Sequence, residues 1–219
     1  MPLSTINLKR PLNSYAKVQI VWGDLIRGKR QFINRKRIEG KKLLNVGCGP
    51  FPKPEFINLD YGWKPEIDIC WDITKQKYPL KGESVEGIYT EHCLEHIPFE
   101  KCMENLHEFY RLLKPNGTIR IVVPDGEIYF DLYQQKKTNK NVQMPYGENE
   151  STAMISINRI FRGNDHMFIY DFETLSALLS KAGFKQVVKQ KYRIGRDERL
   201  LIDRPEREVE SLYIEGVKL

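Results

Sequence analysis

A short apolar run in the sequence ends in two closely spaced glycines. Leu43–Val46 is predicted to be a buried strand, and Gly47-Cys48-Gly49-Pro50 follows it directly. Glycine reaches backbone dihedrals that are barred to other residues and has no side chain that would block a ligand. Alone, G-x-G is weak evidence for a binding site, and Pro52 replaces the third glycine of the dinucleotide fingerprint G-x-G-x-x-G. The sequence therefore predicts a ligand-binding turn, and the prolines around it disfavour a long helix directly after the turn.

An acidic residue follows the next apolar run. Asp60 stands thirteen residues after Gly47, directly after a second predicted strand, Phe56–Leu59. Its carboxylate could accept hydrogen bonds from the two hydroxyls of a ribose. Aspartates are also common in turns and caps after strands. Because the glycine loop lies upstream, we favour the ribose-binding role over the turn role.

Three histidines are the candidate general bases. His92 and His96 lie four residues apart, which places both on one face if the segment is helical. His166 follows Asp165, and an acidic neighbour is expected to raise its pKa and orient its ring. We rank His166 first as the base. The structural alternatives are a packing role for His96 and a surface-loop position for His166.

The elements that must position these residues alternate between strands and helices. Such alternation indicates an α/β fold, here a Rossmann-like doubly wound sheet of about seven strands, mostly parallel with an antiparallel C-terminal strand. The predicted strands are Leu43–Val46, Phe56–Leu59, Ile67–Cys70, Gly87–Thr90, Thr118–Val123, Phe184–Lys189 and Glu208–Lys218. One helix or two are predicted between Asn13 or Ser14 and about Asn34, and a further helix is predicted over Phe99–Leu113. Two more helices, each with an aspartate cap, are predicted to begin at Gly126 and to span Asp171–Ala182.

Two regions differ from the rest of the predicted domain of residues 41–219. Residues 1–40 are predicted to be a basic, helical N-terminal extension, since Arg27–Lys42 carries much of the excess positive charge. Such a segment attracts nucleic acid, anionic lipid or a phosphorylated substrate, although a solvated helix face is the simpler interpretation. Residues 138–165 are polar and are predicted to be an irregular insertion, of the kind that often forms a lid or substrate loop.

The composition indicates an intracellular globular protein. Hydrophobic residues make up 41% of the chain and the net charge is +6. No apolar run approaches the roughly 20 residues of a membrane-spanning helix, and the N-terminus lacks the apolar core of a signal peptide. The four cysteines form no C-x-x-C pair and no zinc-finger spacing with histidines. We therefore expect a cytoplasmic protein with reduced cysteines and no metal.

Taken in order, five segments resemble the class I S-adenosylmethionine-dependent methyltransferases. They are Leu43–Gly49, Phe56–Asp60, Asp68–Ile73, Ile88–Ile97 and Arg111–Thr118. The resemblance implies S-adenosylmethionine as the cofactor, held by a glycine loop, a ribose-binding acid and an acid beside the adenine. The residues that would bind it are Asn45, Gly47, Cys48, Gly49, Asp60, Tyr61, Trp71, Asp72, Ile73 and Glu91.

Two positions depart from the family pattern. Asn45 stands where many members have an acid that orients the methionine end of the cofactor. An amide can still form hydrogen bonds there but cannot neutralise the ammonium group. Asn116-Gly117 replaces a double glycine, which asparagine tolerates because it accepts left-handed dihedrals.

Further motifs resemble a bacterial-type subgroup of the family that is often linked to surface-glycan biosynthesis. These are the short gap from Gly47 to Asp60, Val123-Pro124-Asp125, Tyr170–Leu175 and Ser211–Glu215. The resemblance covers about residues 41–219. It implies O-methylation of a sugar or surface-glycan precursor, and Tyr129, Arg159 and Arg162 could face that acceptor.

Other functions stay open. The chain could methylate another small molecule or a lipid, or be a non-catalytic cofactor-binding partner subunit. A nucleic-acid substrate is disfavoured because Thr90–Cys93 replaces the N-P-P-Y-type motif of many nucleic-acid methyltransferases. Peripheral membrane contact through the basic N-terminal region, and the oligomeric state, are left undecided by the sequence.

Overall fold

The predicted alternation of strands and helices is present in a computed structural model of the chain, which describes residues 14–29, 32–75, 77–139, 141–142, 152–163 and 165–219. The helices are α1 (Ser14–Lys29), α2 (Arg35–Ile38), α3 (Phe99–Leu112), α4 (Gly126–Thr138), α5 (Ala153–Arg162) and α6 (Phe172–Lys181). The strands are β1 (Phe32–Ile33), β2 (Leu43–Val46), β3 (Phe56–Asp60), β4 (Ile69–Cys70), β5 (Val85–Glu91), β6 (Leu113–Pro124), β7 (Lys185–Gln190) and β8 (Ser211–Val217).

Hydrogen bonds join the strands into one eight-stranded sheet in the order β1-β4-β3-β2-β5-β6-β8-β7. The five central strands, β2 to β6, run parallel, and β8 is antiparallel to β6 and β7. This confirms the predicted Rossmann-like α/β fold and all seven predicted strands. The strand order reverses between β2 and β5, and the carboxyl edge at such a point is where open α/β sheets bind ligands.

The N-terminal helix ends earlier than the predicted end at about Asn34. α1 stops at Lys29, and Phe32–Ile33 forms the edge strand β1, antiparallel to β4. Asn34 then caps α2, because its side chain accepts a hydrogen bond from the backbone N–H of Arg37 at 3.2 Å. Among the described residues of the predicted range there is therefore one helix, and it is followed by a strand that the sequence pattern did not predict; α2 lies beyond the predicted end.

The core lies between the sheet and the helices α3 and α6. Their apolar residues recur at spacings of three and four, which puts them on one face of each helix. Burying one leucine or phenylalanine side chain contributes about 1.5–3 kcal/mol. The fully buried helix residues are Cys102, Leu106, Phe109, Leu112, Leu175 and Leu179. Among the described residues, no helix combines the length and the apolarity needed to cross a bilayer.

Side-chain caps and one left-handed residue set the ends of several elements. Asp125 caps α4 by accepting from the N–H of Glu127 at 3.0 Å, and Asp171 caps α6 by accepting from the N–H of Thr174 at 2.8 Å. Both caps confirm the prediction. Asn116 has a φ of 65°, which is the left-handed conformation that its position in place of a glycine required.

The insertion predicted to be irregular contains a helix. α5 is capped by Thr152, and its Ile157 packs against the buried Tyr129 of α4. The expectation of irregular structure was therefore wrong for this part. The polar residues around α5 dominated the composition of the segment and concealed its apolar helical spacing. Residues 140, 143–151 and 164 of the predicted insertion lie outside the described residues.

Candidate active site

A cavity of about 960 Å³ opens beside the carboxyl ends of β2, β3 and β5. Parallel strands bring the loops that follow them to one edge, so residues far apart in the chain meet there. Every residue predicted to bind the cofactor, from Asn45 to Glu91, lines this cavity, and so do His92, His96 and His166. The structure therefore brings all the predicted site residues together.

The glycine loop is shaped by two glycines in left-handed conformation, Gly47 at φ 67° and Gly49 at φ 51°. The backbone N–H groups of Gly47 and Cys48 donate to the carbonyl of Leu59, at 2.9 and 3.2 Å. A Cβ on Gly47 would lie 2.6 Å from Cβ of Cys93, so only glycine fits. No helix begins in residues 50–55, all of which are described, as the prolines there predicted.

Asp60 is fixed by two backbone amides. The N–H of Gly49 donates to Oδ2 at 2.7 Å, and the N–H of Gly62 donates to Oδ1 at 2.8 Å. Burial raises the pKa of this carboxyl, and the two amide hydrogen bonds oppose that rise. Each oxygen keeps a further acceptor lone pair. The carboxylate is thus held rigidly at the cavity wall with acceptor capacity to spare.

Asp72 lies on the same wall. Its Oδ1 accepts from the N–H of Thr74 at 3.0 Å and from the Thr74 hydroxyl at 2.6 Å, and Lys75 pairs with Oδ2 at 3.1 Å. Burial raises the pKa of the Asp72 carboxyl, but these hydrogen bonds outweigh it and lower the pKa overall. The neighbouring Trp71, predicted to bind the cofactor, lines the cavity and also packs in the buried core.

Helix α1 forms a cavity wall that the sequence reasoning missed. Its residues Ala16, Gln19 and Ile20 line the cavity. The N–H of Trp63 donates to the carbonyl of Gln19 at 3.0 Å, and a Cβ on Gly23 would lie 2.6 Å from the carbonyl oxygen of Tyr61. Gly23 is the point where α1 touches the loop after β3.

A cluster of ionisable side chains lies on the opposite side of the glycine loop. We call His92, Glu95, His96 and His166 the histidine cluster. His92 has a left-handed φ of 50°, and its Nε2 is hydrogen bonded to Oγ of Ser211 at 2.9 Å. Its Nδ1 lies 3.3 Å from Oε1 of Glu95. The rings of His96 and His166 pack edge to face, with centroids 4.7 Å apart.

Glu95 is the centre of this cluster, and the sequence reasoning assigned it no role. It is fully buried, and Nε2 of His96 lies 3.9 Å from the oxygen that also faces His92. Burial alone would raise the pKa of its carboxyl. The three neighbouring histidines outweigh burial and lower that pKa to about 2. The signal that could have found it is the Glu95-His96 pair within Ile88–Ile97, one of the five segments that resemble the family.

His166 is not in the electrostatic environment predicted for it. Burial is the largest influence and lowers the pKa of its imidazole to about 4, while Glu95 opposes that effect. The expectation that an acidic neighbour raises this pKa was therefore wrong, because desolvation of the charged form outweighs the attraction to the carboxylate. His166 is accordingly neutral at pH 7.

The segment 202–207 closes the cavity and was also missed. Arg204 pairs with Glu91: its backbone N–H donates to Oε1 at 3.1 Å and its Nε donates to Oε2. The guanidinium of Arg204 also lies over the ring of Phe51, 4.5 Å from the centroid. Arg207 lines the same wall. A basic pair therefore faces the glycine loop across the cavity.

The three side chains that could face an acceptor lie elsewhere. Tyr129 is buried, and its hydroxyl donates to Oε2 of Glu210. Arg159 and Arg162 are in the last turn of α5. None of these residues is among those that line the cavity.

Residues 55–121 match the family model described as a methyltransferase domain, which is under half of the chain. None of the curated proteins matches the sequence. Among solved structures, the chain is similar to a SAM-dependent methyltransferase from Archaeoglobus fulgidus at 16% identity and a TM-score of 0.52, covering 94% of this chain and 100% of the other. This similarity shows the fold.

Two further solved structures have lower scores. A SAM-dependent methyltransferase from Thermotoga maritima is 17% identical with a TM-score of 0.48, over 93% of this chain and 91% of the other. The 1,6-didemethyltoxoflavin-N1-methyltransferase of Burkholderia thailandensis is 15% identical with a TM-score of 0.48, over 96% and 92%. The domain match and the fold together support a methyltransferase with S-adenosylmethionine as its cofactor.

Proposed function

We propose that this chain transfers the methyl group of S-adenosylmethionine to a hydroxyl oxygen of a small polar acceptor, a sugar or a glycan precursor. The observation that carries the proposal is that the glycine loop, Asp60 and the three histidines of the histidine cluster line one cavity. Its volume of about 960 Å³ is at the upper end of the roughly 300–1,000 Å³ typical of ligand pockets. Cofactor and acceptor therefore have room to lie side by side.

On the cofactor side, the chain offers groups that match a nucleoside with an amino-acid tail. The free lone pairs of Asp60 suit the two ribose hydroxyls. Gly47 and Gly49 leave the backbone open to close approach, and the buried amide of Asn45 suits a polar group of the tail. S-adenosylmethionine supplies a methyl group that is already activated by its sulfonium. The protein therefore mainly has to bind, align and exclude water.

On the acceptor side, the chemistry requires that a hydroxyl be activated. In the transfer, the acceptor oxygen forms a bond to the methyl carbon while the carbon–sulfur bond breaks and the sulfur keeps the electron pair. The proton of the hydroxyl is released. A hydroxyl is a poor nucleophile until that proton is removed, and suitably placed groups contribute typically 10²–10⁴-fold to such steps. We assign this activation to the histidine cluster, in which His96 has the most exposed side chain, at 39%.

The walls around this cluster favour a polar acceptor. The pair of Glu91 with Arg204, together with Arg207 and Asp165, lines the cavity near the cluster. Arginine recognises carboxylates and phosphates with paired hydrogen bonds, and a nucleotide-linked sugar carries phosphates. A lipid acceptor would leave these charged groups facing apolar chains, which is unfavourable.

Calorimetry with S-adenosylmethionine tests the cofactor half of the proposal. Asp60→Asn loses charge-assisted hydrogen bonds worth about 1.5–3 kcal/mol each, so we expect binding to weaken by roughly tenfold or more. Asp131→Asn, at an exposed position on α4 outside the cavity, should bind like the unaltered protein. Absence of binding by the unaltered protein at millimolar cofactor would contradict the proposal.

A panel of acceptors tests the other half. We expect a mass increase of one methyl group on nucleotide-linked sugars or glycan precursors, and none on analogues in which the accepting hydroxyl is replaced by hydrogen. Methylation of an amine or a lipid alone would refute the acceptor class. Cofactor binding without transfer to any member would instead favour a non-catalytic subunit.

A further inference from the structure

Three side chains of the histidine cluster are of types that ligate metals. Glu95, His96 and His166 each offer one donor atom, and these atoms all lie within 4.8 Å of one another. We infer that these residues, which we name the metal triad, form a binding site for one divalent transition-metal ion at the acceptor side of the cavity. The sequence has no C-x-x-C pair and no zinc-finger spacing at this site, so no metal was expected there.

The state of the Glu95 carboxylate is the first argument. The residue is fully buried, and among the described residues neither carboxylate oxygen has a partner with hydrogen-bond geometry. Burying a carboxylate is costly unless it is paired, hydrogen bonded or bound to a metal. Imidazole atoms of His92 and His96 approach only to 3.3 and 3.9 Å. A bound cation would satisfy both the charge and the oxygen lone pairs.

The backbone links the three ligands. Glu95 and His96 are neighbours in the 3-10 turn Leu94–His96. The N–H groups of Met167 and Phe168, directly after His166, donate to the backbone carbonyl of Glu95 at 2.7 and 3.3 Å. The distant segment that carries His166 is therefore tethered to the residue with which it would share the ion.

The three donor atoms lie close enough to converge on one ion after side-chain rotation. Donor atoms about 2.1 Å from a tetrahedral ion lie about 3.4 Å apart. The three donor atoms, all within 4.8 Å of one another, would therefore have to close by up to about 1.4 Å. The side chain of His96 is 39% exposed, so its rotation is not blocked by tight packing.

The donor set indicates which ions the site would take. Two imidazole nitrogens and one carboxylate oxygen bind Zn²⁺ and Fe²⁺ in known metal sites and leave coordination positions open. Mg²⁺ and Ca²⁺ prefer oxygen ligands throughout, so they fit less well. His92, between Ser211 and Glu95, would act as the outer residue that orients the carboxylate.

The role of the ion rests on the proposed function. His96 and His166 of the metal triad line the same cavity as the glycine loop, so an acceptor hydroxyl near the transferred methyl group would also be near the ion. A divalent cation lowers the pKa of a hydroxyl that contacts it, which is the activation that O-methylation requires. The competing explanation is a metal-free cluster in which a protonated histidine neutralises Glu95.

Calorimetric titration with Co²⁺, without S-adenosylmethionine, tests the site directly. The full chain is first treated with a chelator and dialysed, and visible absorption is recorded during the titration. We expect one Co²⁺ per chain with new d–d absorption bands, and much weaker binding of Mg²⁺. His96→Ala and His166→Ala should each weaken Co²⁺ binding at least tenfold. His107→Ala is the matched control, because this histidine is exposed on α3 outside the cavity and should leave binding unchanged.

Two results would overturn the inference. One is the absence of heat and of new absorption with the unaltered protein, which the metal-free cluster predicts. The other is equal Co²⁺ binding by the unaltered protein and both triad variants, because the ion would then lie elsewhere. If circular dichroism shows that His166→Ala does not fold, the comparison of the unaltered protein with His96→Ala decides, because His96 is exposed. Co²⁺ binding by a protein that methylates no hydroxyl would leave the metal triad intact and contradict only the proposed acceptor.

Discussion

Arg120 on β6 is fully buried, and all five of its N–H donors are used. Two bonds go to the carboxylate of Asp203 and one to Oε1 of Glu215, and the carbonyls of Ile194 and Lys191 accept the others at 3.0 Å. Asp203 and Glu215 are themselves buried. This network fastens the segment after β7 to the sheet. It makes Arg120→Met a severe perturbation, although methionine is apolar and long enough to fill much of the space.

The magnitude follows from what the substitution leaves behind. Removing one partner of a buried ion pair costs about 3–5 kcal/mol, because the other charge stays buried and unpaired. Asp203 keeps a hydrogen bond from the N–H of Arg193, and Glu215 keeps one from the N–H of Arg196, both at 2.8 Å. These bonds offset part of the loss, so we expect about 3 kcal/mol. For a chain of this size that corresponds to a Tm lower by roughly 6–12 °C.

The assay is urea unfolding followed by far-ultraviolet circular dichroism, with Arg199→Met as the matched control. Arg199 also pairs with two carboxylates, Asp197 and Glu86, but its side chain is 51% exposed. Exposed pairs typically contribute about 0.2–1 kcal/mol each, so losing both pairs should lower the free energy of unfolding by about 2 kcal/mol at most. If Arg120→Met loses no more free energy of unfolding than Arg199→Met, burial does not strengthen the contribution of this network to stability, and the reasoning is wrong.

Two further predictions concern the cavity. Gly23→Ala should weaken cofactor binding in calorimetry, because the new Cβ would lie 2.6 Å from the carbonyl of Tyr61 and push α1 away from the cavity wall. Gly28→Ala, on the same helix, should leave cofactor binding unchanged, because its new Cβ would have nothing within 4 Å. Equal effects of the two substitutions would contradict this prediction. Burial lowers the pKa of His166 to about 4, below the ordinary imidazole value of about 6.5, so between these pH values the unfolded chain binds a proton that the folded chain does not. The free energy of unfolding should therefore decrease as the pH is lowered from about 6.5 to about 4, and His166→Gln should make this decrease smaller. An equal dependence of the free energy of unfolding on pH in the two proteins would refute the prediction.

Local chemistry made much of the fold predictable. Strands such as Leu43–Val46 are short, apolar and bounded by turn residues, and the spacing of leucine and phenylalanine in α3 has helical period. The aspartate caps Asp125 and Asp171 act on N–H groups two or three residues away, so the sequence contains both partners. The pairing of Phe32–Ile33 with β4 depends on a distant strand, and no local pattern indicated it.

In the candidate site, too, the features that depend on nearby residues were predictable and those that depend on distant residues were not. The glycine loop and Asp60 lie within one β-strand–turn–β-strand unit, and a spacing rule found them. The pKa of His166 could not be predicted from its neighbour Asp165, because the burial that dominates it comes from residues far away in the chain. Arg204 reaches Glu91 across 113 positions, and its sequence context carries no signal of that contact.

This division has a consequence for how such a chain can change its substrate. The proposed cofactor half is centred on the glycine loop and Asp60, with Asp72 and the wall formed by α1 beside them. The proposed acceptor half is assembled from the turn after β5, the segment that carries His166 and the segment 202–207. Each of these is held by long-range contacts, such as those of Met167 with the Glu95 carbonyl, of Arg204 with Glu91 and of Asp203 with Arg120. The acceptor wall can therefore be altered one contact at a time while the sheet and the glycine loop stay unchanged.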